Sequence, residues 1–258
     1  MTIAIGALVG LLLGLCGSGG SILAVPLFIV FLQLPPLQAI ALSLGLVASS
    51  AFYGVFCKRY SGEIQWRTGL LFAVVGSAFT PLGLAIGSKL APDVLVTSFA
   101  ILIAVVAILM WKKSNRCIEP HQQAPAKQGS WFTRSATRRT ASLLAGAVVT
   151  GTLAGLFGVG GGFIIVPILM YLLASTLKQA VATSLLIISL VAGTGFANSL
   201  FTSHNVPITL LLEVVGGGIL GMTLGLYISK KICTNHLQKT FSVVALVMAA
   251  LVVGKHFS

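Results

Sequence analysis

Two apolar stretches of this chain are each too long for one straight membrane span, and each is cut by a run of small residues. The first, residues 3–33, contains Gly17, Ser18, Gly19, Gly20 and Ser21 and runs on through Pro26. As a single helix it would extend about 46 Å at 1.5 Å per residue, against a hydrocarbon core of roughly 30 Å. The second, residues 141–174, contains Gly158, Val159, Gly160, Gly161 and Gly162 and runs on through Pro167. The cluster divides the first stretch into pieces of about 14 and 13 residues, too short to cross and of the length of re-entrant segments. Irregular backbone at that depth is tolerated only where it is buried in protein or lines a water-filled cavity, so the breaks constrain fold and site together.

The two stretches read as copies of one another. Displacing the chain by 141 positions brings Gly17 onto Gly158, Gln38 onto Gln179, Ala41 onto Ala182, Ser43 onto Ser184 and Leu44 onto Leu185. With a displacement of 142, Leu82-Gly83-Leu84 falls on Leu224-Gly225-Leu226 and Lys89 on Lys231. Internal symmetry of this kind is a mark of transporter folds. The expected organisation is a membrane repeat over 1–111, a basic cytoplasmic linker over 112–139 and a second membrane repeat over 140–258. Full spans are expected at 37–57, 68–88 and 94–111, and again at about 178–200, 208–229 and 238–254.

At 57% hydrophobic and 8% charged residues, the 258-residue chain carries more apolar surface than a water-soluble core can hide, and it belongs in lipid. A net charge of +12 would suggest a nucleic-acid partner for a soluble protein, but the basic residues gather at span ends and in the central linker. That is the positive-inside pattern, and the interleaved aromatic and basic stripe of a single-strand binder is missing. If each broken segment crosses once, Lys and Arg divide 11 against 5 between the two sides; if each is a re-entrant hairpin they divide 14 against 2, leaving only Lys89 and Lys255 on the poor side. The hairpin division is the cleaner one. It gives each half an odd number of crossings, an all-α polytopic protein built as an inverted repeat, with the linker in the cytoplasm. The four cysteines occur singly, with neither a CxxC pair nor histidines at metal spacing, so no disulfide framework, metal or cofactor is expected.

The glycine clusters are not nucleotide loops. Phe163 follows Gly162 where a phosphate-binding loop needs Lys and Ser or Thr, and the sixth position of a dinucleotide fingerprint is Phe163 in one copy and Ile22 in the other. A broken intramembrane helix instead presents unpaired N–H groups and the positive end of a helix dipole, which suits an anion. The hydroxyls of Ser18, Ser21, Ser43, Thr183 and Ser184 are candidate additional donors to it. The simpler alternative is that the glycines only let helices approach closely. Glu213 is the one acid well inside a span, on the face that carries Gly217, Gly221 and Gly225. It is a candidate for proton coupling, its plain alternative being a solvated interfacial carboxylate. Asn198 is a weaker candidate, since intramembrane amides often only join helices.

At these residues the chain resembles the sulfite exporter TauE/SafE family of membrane permeases. The resemblance rests on Gly158-Val-Gly160-Gly161-Gly162 with Pro167, on Gln179-Ala-Val-Ala-Thr183-Ser184, and on the degenerate first copy, Gly17-Ser-Gly19-Gly20-Ser21 with Pro26 and Gln38-Ala-Ile-Ala-Leu42-Ser43. It implies a secondary transporter of small sulfur-containing anions such as sulfite or organosulfonates in the cytoplasmic membrane, an exporter by the family's name and not an enzyme. The alternatives are a channel-like permease and a membrane protein without transport activity. The first copy departs from the pattern where Ser21 stands for a glycine and Leu42 for a threonine, which bears on whether both half-sites meet the substrate equally.

Overall fold

The computed structural model describes residues 1–16, 20–91, 93–95, 97–99, 101–102, 136–173, 177–201 and 207–229. Its long elements are α1 (Thr2–Cys16), α2 (Gly20–Phe31), α3 (Pro36–Lys58), α4 (Trp66–Lys89), α5 (Ala136–Phe157), α6 (Gly162–Leu173), α7 (Leu177–Phe201) and α8 (Ile208–Ser229). The described fold is all-helical. Four of the helices, α3, α4, α7 and α8, are long and apolar enough to cross a membrane. Their ends fall within a residue or two of the expected spans at 37–57, 68–88, 178–200 and 208–229. The expected span at 94–111 is described only at scattered residues, and the one at 238–254 lies outside the described residues. Helix α5 begins at Ala136, so its first turn takes in Arg138 and Arg139 from the segment expected to be linker.

Each broken stretch forms two helices, α1 with α2 and α5 with α6. A Cβ added to Gly20 would meet the backbone of Leu13, Leu12 and Val9, so α2 starts by folding back along α1. Prolines sit inside α2 and α4 at Pro26 and Pro81 without ending either helix, which membrane helices tolerate when neighbours satisfy the freed backbone groups.

Glycines set the packing. Along α1, Gly6, Gly10 and Gly14 meet Val214, Gly218 and Met222 of α8; in return Gly217, Gly221 and Gly225 meet Ile3, Ala7 and Leu11. Numbers rise together on both helices, so they run parallel. The contacts are backbone to backbone, with an ideal Cβ on Gly221 only 1.9 Å from the Ala7 carbonyl oxygen. Helices α4 and α5 pair in the same way, Gly151 against Gly76 and Gly155 against Thr80, with Gly83 against Thr152. In lipid there is no hydrophobic force between helices, so such seams hold by dispersion between closely approached backbones.

Helices α3 and α7 lie at the centre and run antiparallel: Gly45 packs on Phe196, and Gly54 on Leu185. Helix α3 lies parallel to α8, through Gly45 on Leu211 and Gly54 on Met222. Helix α7 lies parallel to α4, through Gly69 on Leu186 and Gly76 on Val191. The core residues of α3 and α7, among them Leu42, Leu44, Leu46, Leu185 and Ile187, are essentially inaccessible. Helices α4 and α8 flank them and present Leu70, Leu71, Val74, Leu82 and Ile86, and Leu212, Leu220, Leu224 and Tyr227, to the outside. That apolar outer face is the one a bilayer would wet.

Candidate functional site

The second break is a tight turn of left-handed residues. Gly158, Gly160 and Gly161 have φ of 68°, 65° and 65°, a region that costs an L-residue roughly 1–2 kcal/mol and glycine nothing. Helix α5 closes on this turn with the Gly158 N–H donating to the Ala154 carbonyl at 2.9 Å, and α6 opens at Gly162. The turn is buried throughout. The first amides of α6 have no carbonyl within their own helix, so the turn aims helix N–H groups into the protein interior.

What the turn rests on comes from elsewhere in the chain. The Ser43 hydroxyl of α3, fully buried, lies 2.5 Å from the Gly158 carbonyl oxygen and donates to it, with the Ile40 carbonyl of its own helix 2.9 Å away. A Cβ on Gly158 would fall 2.8 Å from both the Ile40 Cα and the Ser43 Oγ. A Cβ on Gly160 would sit 3.1 Å from Val47 of α3 and 3.2 Å from Ile188 of α7, and one on Gly161 2.3 Å from Thr150. The break therefore sits against the α3–α7 seam, with bare glycine surface turned to Val47, Ile188 and Ala192.

The expected site residues do not form one cluster. Ser43, Gly158, Gly160, Gly161 and Gly162 come together. Thr183 and Ser184 are buried at the other end of the seam, opposite Gly54 rather than Ser43, about 18 Å along the helix axis. Gly20 and Ser21 are buried in the first turn of α2. Gly17, Ser18 and Gly19 lie outside the described residues. Glu213 is exposed near the start of α8, where its carboxylate accepts a hydrogen bond from the Thr2 hydroxyl of α1. It does face α1, as Gly217 and Gly221 do, but away from the break. Among the described residues no group of three or more His, Cys, Asp and Glu is placed to hold a metal.

Thr183 has a structural occupation. Its hydroxyl accepts the Gln65 N–H at 3.1 Å, satisfying a donor at the start of α4 that no side chain of α4 itself caps. Gln65 corresponds to Pro207 under the 142-residue displacement, and the two occupy equivalent places: Gly69 N–H donates to Gln65 O at 2.8 Å, and Leu211 N–H to Pro207 O at 3.0 Å. Proline has no N–H to satisfy, and the counterpart of Thr183 is Leu42, which has no acceptor. The departure at Leu42 is thus matched by the loss of its donor and needs no difference in substrate contact. Sequence reasoning passed over Gln65, although this paired replacement was there to be found. Thr183→Val is expected to cost about 1 kcal/mol by leaving an amide unpaired. Thr183→Leu with Gln65→Pro recovers most of that loss in thermal unfolding of the detergent-solubilised protein. Anion affinity that falls with Thr183→Val at unchanged stability would show that Thr183 meets the substrate as well.

Residues 2–252 match the family model described as Sulfite exporter TauE/SafE. The chain belongs to the TauE/SafE family. A relative from Xylella fastidiosa strain 9a5c, named a probable membrane transporter protein, is 32% identical over 264 residues, covering 100% of this chain and 96% of its own length. The Bacillus subtilis protein YunE, named likewise, is 27% identical over 95% of this chain and 94% of its own length. A Methanocaldococcus jannaschii protein of the same description is 26% identical over 96% of this chain and 92% of its own. No solved structure matches. This TauE/SafE protein is a multi-pass membrane protein of a transporter family and not an enzyme.

Proposed function

We propose that this chain is a secondary transporter, working as an exporter, of small sulfur-containing anions such as sulfite or organosulfonates across the cytoplasmic membrane. One observation carries the reading: a helix broken by three left-handed glycines opens a new helix N-terminus against the central seam, the turn buried where α3 and α7 meet beside Val47, Ile188 and Ala192. A dipole end with unpaired N–H groups favours an anion, and a turn without side chains lets a small one approach the backbone. The sulfur chemistry rests on the family's description. The substrate path in this proposal runs along the α3–α7 seam, with Ser43 and Gly158 to Gly162 at one pole and Ser184 with Gly20 and Ser21 at the other.

The proposal includes an inverted repeat with two re-entrant hairpins. Its support is directional. Helices α1 and α3 both run parallel to α8, and α5 and α7 both parallel to α4, while the counterparts α3 and α7 run antiparallel. Helix α2 must then return between α1 and α3, and α6 between α5 and α7. Pairings also reciprocate: the counterpart of α1 against α8 is α5 against α4, and both occur.

In thermal unfolding of the purified protein, an anion present at 100 times its dissociation constant should stabilise by about 2.7 kcal/mol. Stabilisation by sulfite or a sulfonate and not by chloride is expected; no shift with any of sulfite, thiosulfate, taurine and sulfoacetate would contradict the substrate class. Proton coupling through Glu213 belongs to the same proposal. Glu213→Gln is expected to end accumulation driven by a pH gradient while labelled and unlabelled anion still exchange, and undiminished accumulation would remove Glu213 from the mechanism.

A further inference from the structure

Buried hydroxyls in this bundle have evident occupations, with one exception. Thr80, Thr150, Ser184, Ser189 and Ser199 each donate to a carbonyl one turn back in their own helix, at 2.6 to 2.8 Å, as Ser and Thr inside helices commonly do. Ser43 reaches the Gly158 carbonyl. Ser50 of α3 is the exception: it is 1% exposed, and its Oγ is the only buried side-chain nitrogen or oxygen among the described residues without a hydrogen-bond partner. Its neighbour Ser49 does bond back, to the Gly45 carbonyl at 2.6 Å. An unpaired hydroxyl in an apolar interior is costly, so one that is kept points to a partner that comes and goes.

The repeat shows what an inert version of this position looks like. Under the displacements of 141 and 142, Ser50 corresponds to Val191, Gly54 to Gly195, Gly218 to Gly76 and Met222 to Thr80. The contacts correspond as well. A Cβ on Gly76 would meet the Val191 Cγ2 at 3.0 Å, and one on Gly218 the Ser50 Oγ at 2.6 Å; one on Gly195 would meet Thr80 and Leu44, and one on Gly54 would meet Met222 and Leu185. Around Val191 a methyl rests on glycine, and the hydroxyl of Thr80 is turned to its own helix. Around Ser50 the hydroxyl lies unpaired against bare Gly218, and Met222 fills the space over Gly54 with an unbranched side chain that three rotatable bonds let swing aside.

Ser43, Val47, Ser50 and Gly54 follow one another at four, three and four residues, which places them on one stripe of α3. Ser43 and Val47 are its contacts with the second break, and Gly54 packs on Leu185, next to Ser184. Ser50 stands two turns, about 10 Å, from Ser43, between the two poles of the path.

We propose that Ser50 is a further substrate-contacting residue, a donor to an oxygen of the anion in passage between the poles, in a pocket that the Met222 side chain fills when no anion is there. The inference rests on the transport reading above and makes the path asymmetric, because only the first half carries this hydroxyl. A contact made in passage lowers the barrier without adding to affinity at the second break, so its loss shows in rate and not in binding.

Ser50→Ala is compared with the wild type in liposomes and in detergent. Exchange of labelled sulfite is expected to fall about tenfold, as for a lost hydrogen bond to a charged group. The rise in melting temperature that sulfite produces is kept, and the unliganded variant melts no lower than the wild type, since no bond of the resting protein has been removed. Wild-type exchange in Ser50→Ala overturns the proposal. So does slower exchange with a lower melting temperature of the unliganded protein, which marks a structural hydroxyl, and loss of the sulfite shift overturns the role in passage by placing the contact in the resting site. A second readout needs no sulfite: with the native cysteines replaced by alanine, Ser50→Cys is expected to react with a small charged methanethiosulfonate added in water, and Val191→Cys to be protected. Protection of Ser50→Cys, or equal reaction at Val191→Cys, overturns the site. Selective reaction at Ser50→Cys in a protein that neither exchanges sulfite nor is stabilised by it would retain the site and discard the substrate reading.

Discussion

Gly217→Leu is expected to prevent assembly of the helix bundle, whereas Gly216→Leu, one residue away, leaves it intact. A Cβ on Gly217 would lie 2.2 Å from the Ile3 carbonyl oxygen, but one on Gly216 meets nothing within 4 Å. The first substitution forces α1 off α8 along a seam that also holds Gly6, Gly10 and Gly221, and no side chain is there to rotate away. Overpacking of a fitted interior costs about 1–3 kcal/mol and more when backbone must move; here the clash is with backbone. The second substitution points outward and exchanges a poor helix former for a good one, worth about 1 kcal/mol in the helix's favour. Size-exclusion chromatography in mild detergent reads the difference as the monodisperse fraction, largely lost for Gly217→Leu and unchanged for Gly216→Leu. Equal behaviour of the two would mean that the α1–α8 seam does not hold the molecule together.

Gly160→Leu is expected to do the opposite, abolishing transport in a protein that still inserts and purifies. The residue adopts φ 65°, and its Cβ would enter the space between Val47 and Ile188 at 3.1 and 3.2 Å. The conformational penalty of roughly 1–2 kcal/mol is survivable for a bundle of this size, and the neighbours at that distance are side-chain methyls that can give. On the proposed reading, what cannot be recovered is the approach of the anion to the amides at the start of α6. Rates of labelled sulfite exchange should fall about a hundredfold, the equivalent of losing one preorganised set of donors to a charged group, with the chromatographic profile retained. Wild-type exchange in the leucine variant would make the break a packing device.

The spans were legible because their apolar runs end in recognisable ways. Lys58 and Lys89 close α3 and α4, and prolines open α3 and precede α8. The second break was legible from Gly158, Gly160 and Gly161, the only residue type that occupies a run of left-handed positions without strain. What the sequence concealed was partnership. Nothing in Gly6, Gly10 and Gly14 says that their partner is a helix some two hundred residues away, because a four-residue glycine spacing fits any second glycine face. The reading of Thr183 as a ligand failed to foresee its amide partner for the same reason: a hydroxyl at a helix start suits a substrate and a neighbouring backbone N–H equally, and only the fold brings Gln65 beside it. Glu213 was placed inside a span by its distance from Pro207 along the helix; what the sequence did not show is that it lies exposed at the start of the α1–α8 seam with Thr2 as its partner.

The central claim is that an anion crosses through a site that alternates between the two sides. Counterflow measures that directly. Liposomes containing the purified protein are loaded with excess unlabelled sulfite and diluted under nitrogen into a trace of radiolabelled sulfite. A carrier takes label inward as unlabelled anion leaves, so internal label rises transiently above its equilibrium level and then decays. That overshoot, absent from protein-free liposomes, is the predicted result; label that climbs monotonically to equilibrium as through a pore, or that never enters, would contradict it.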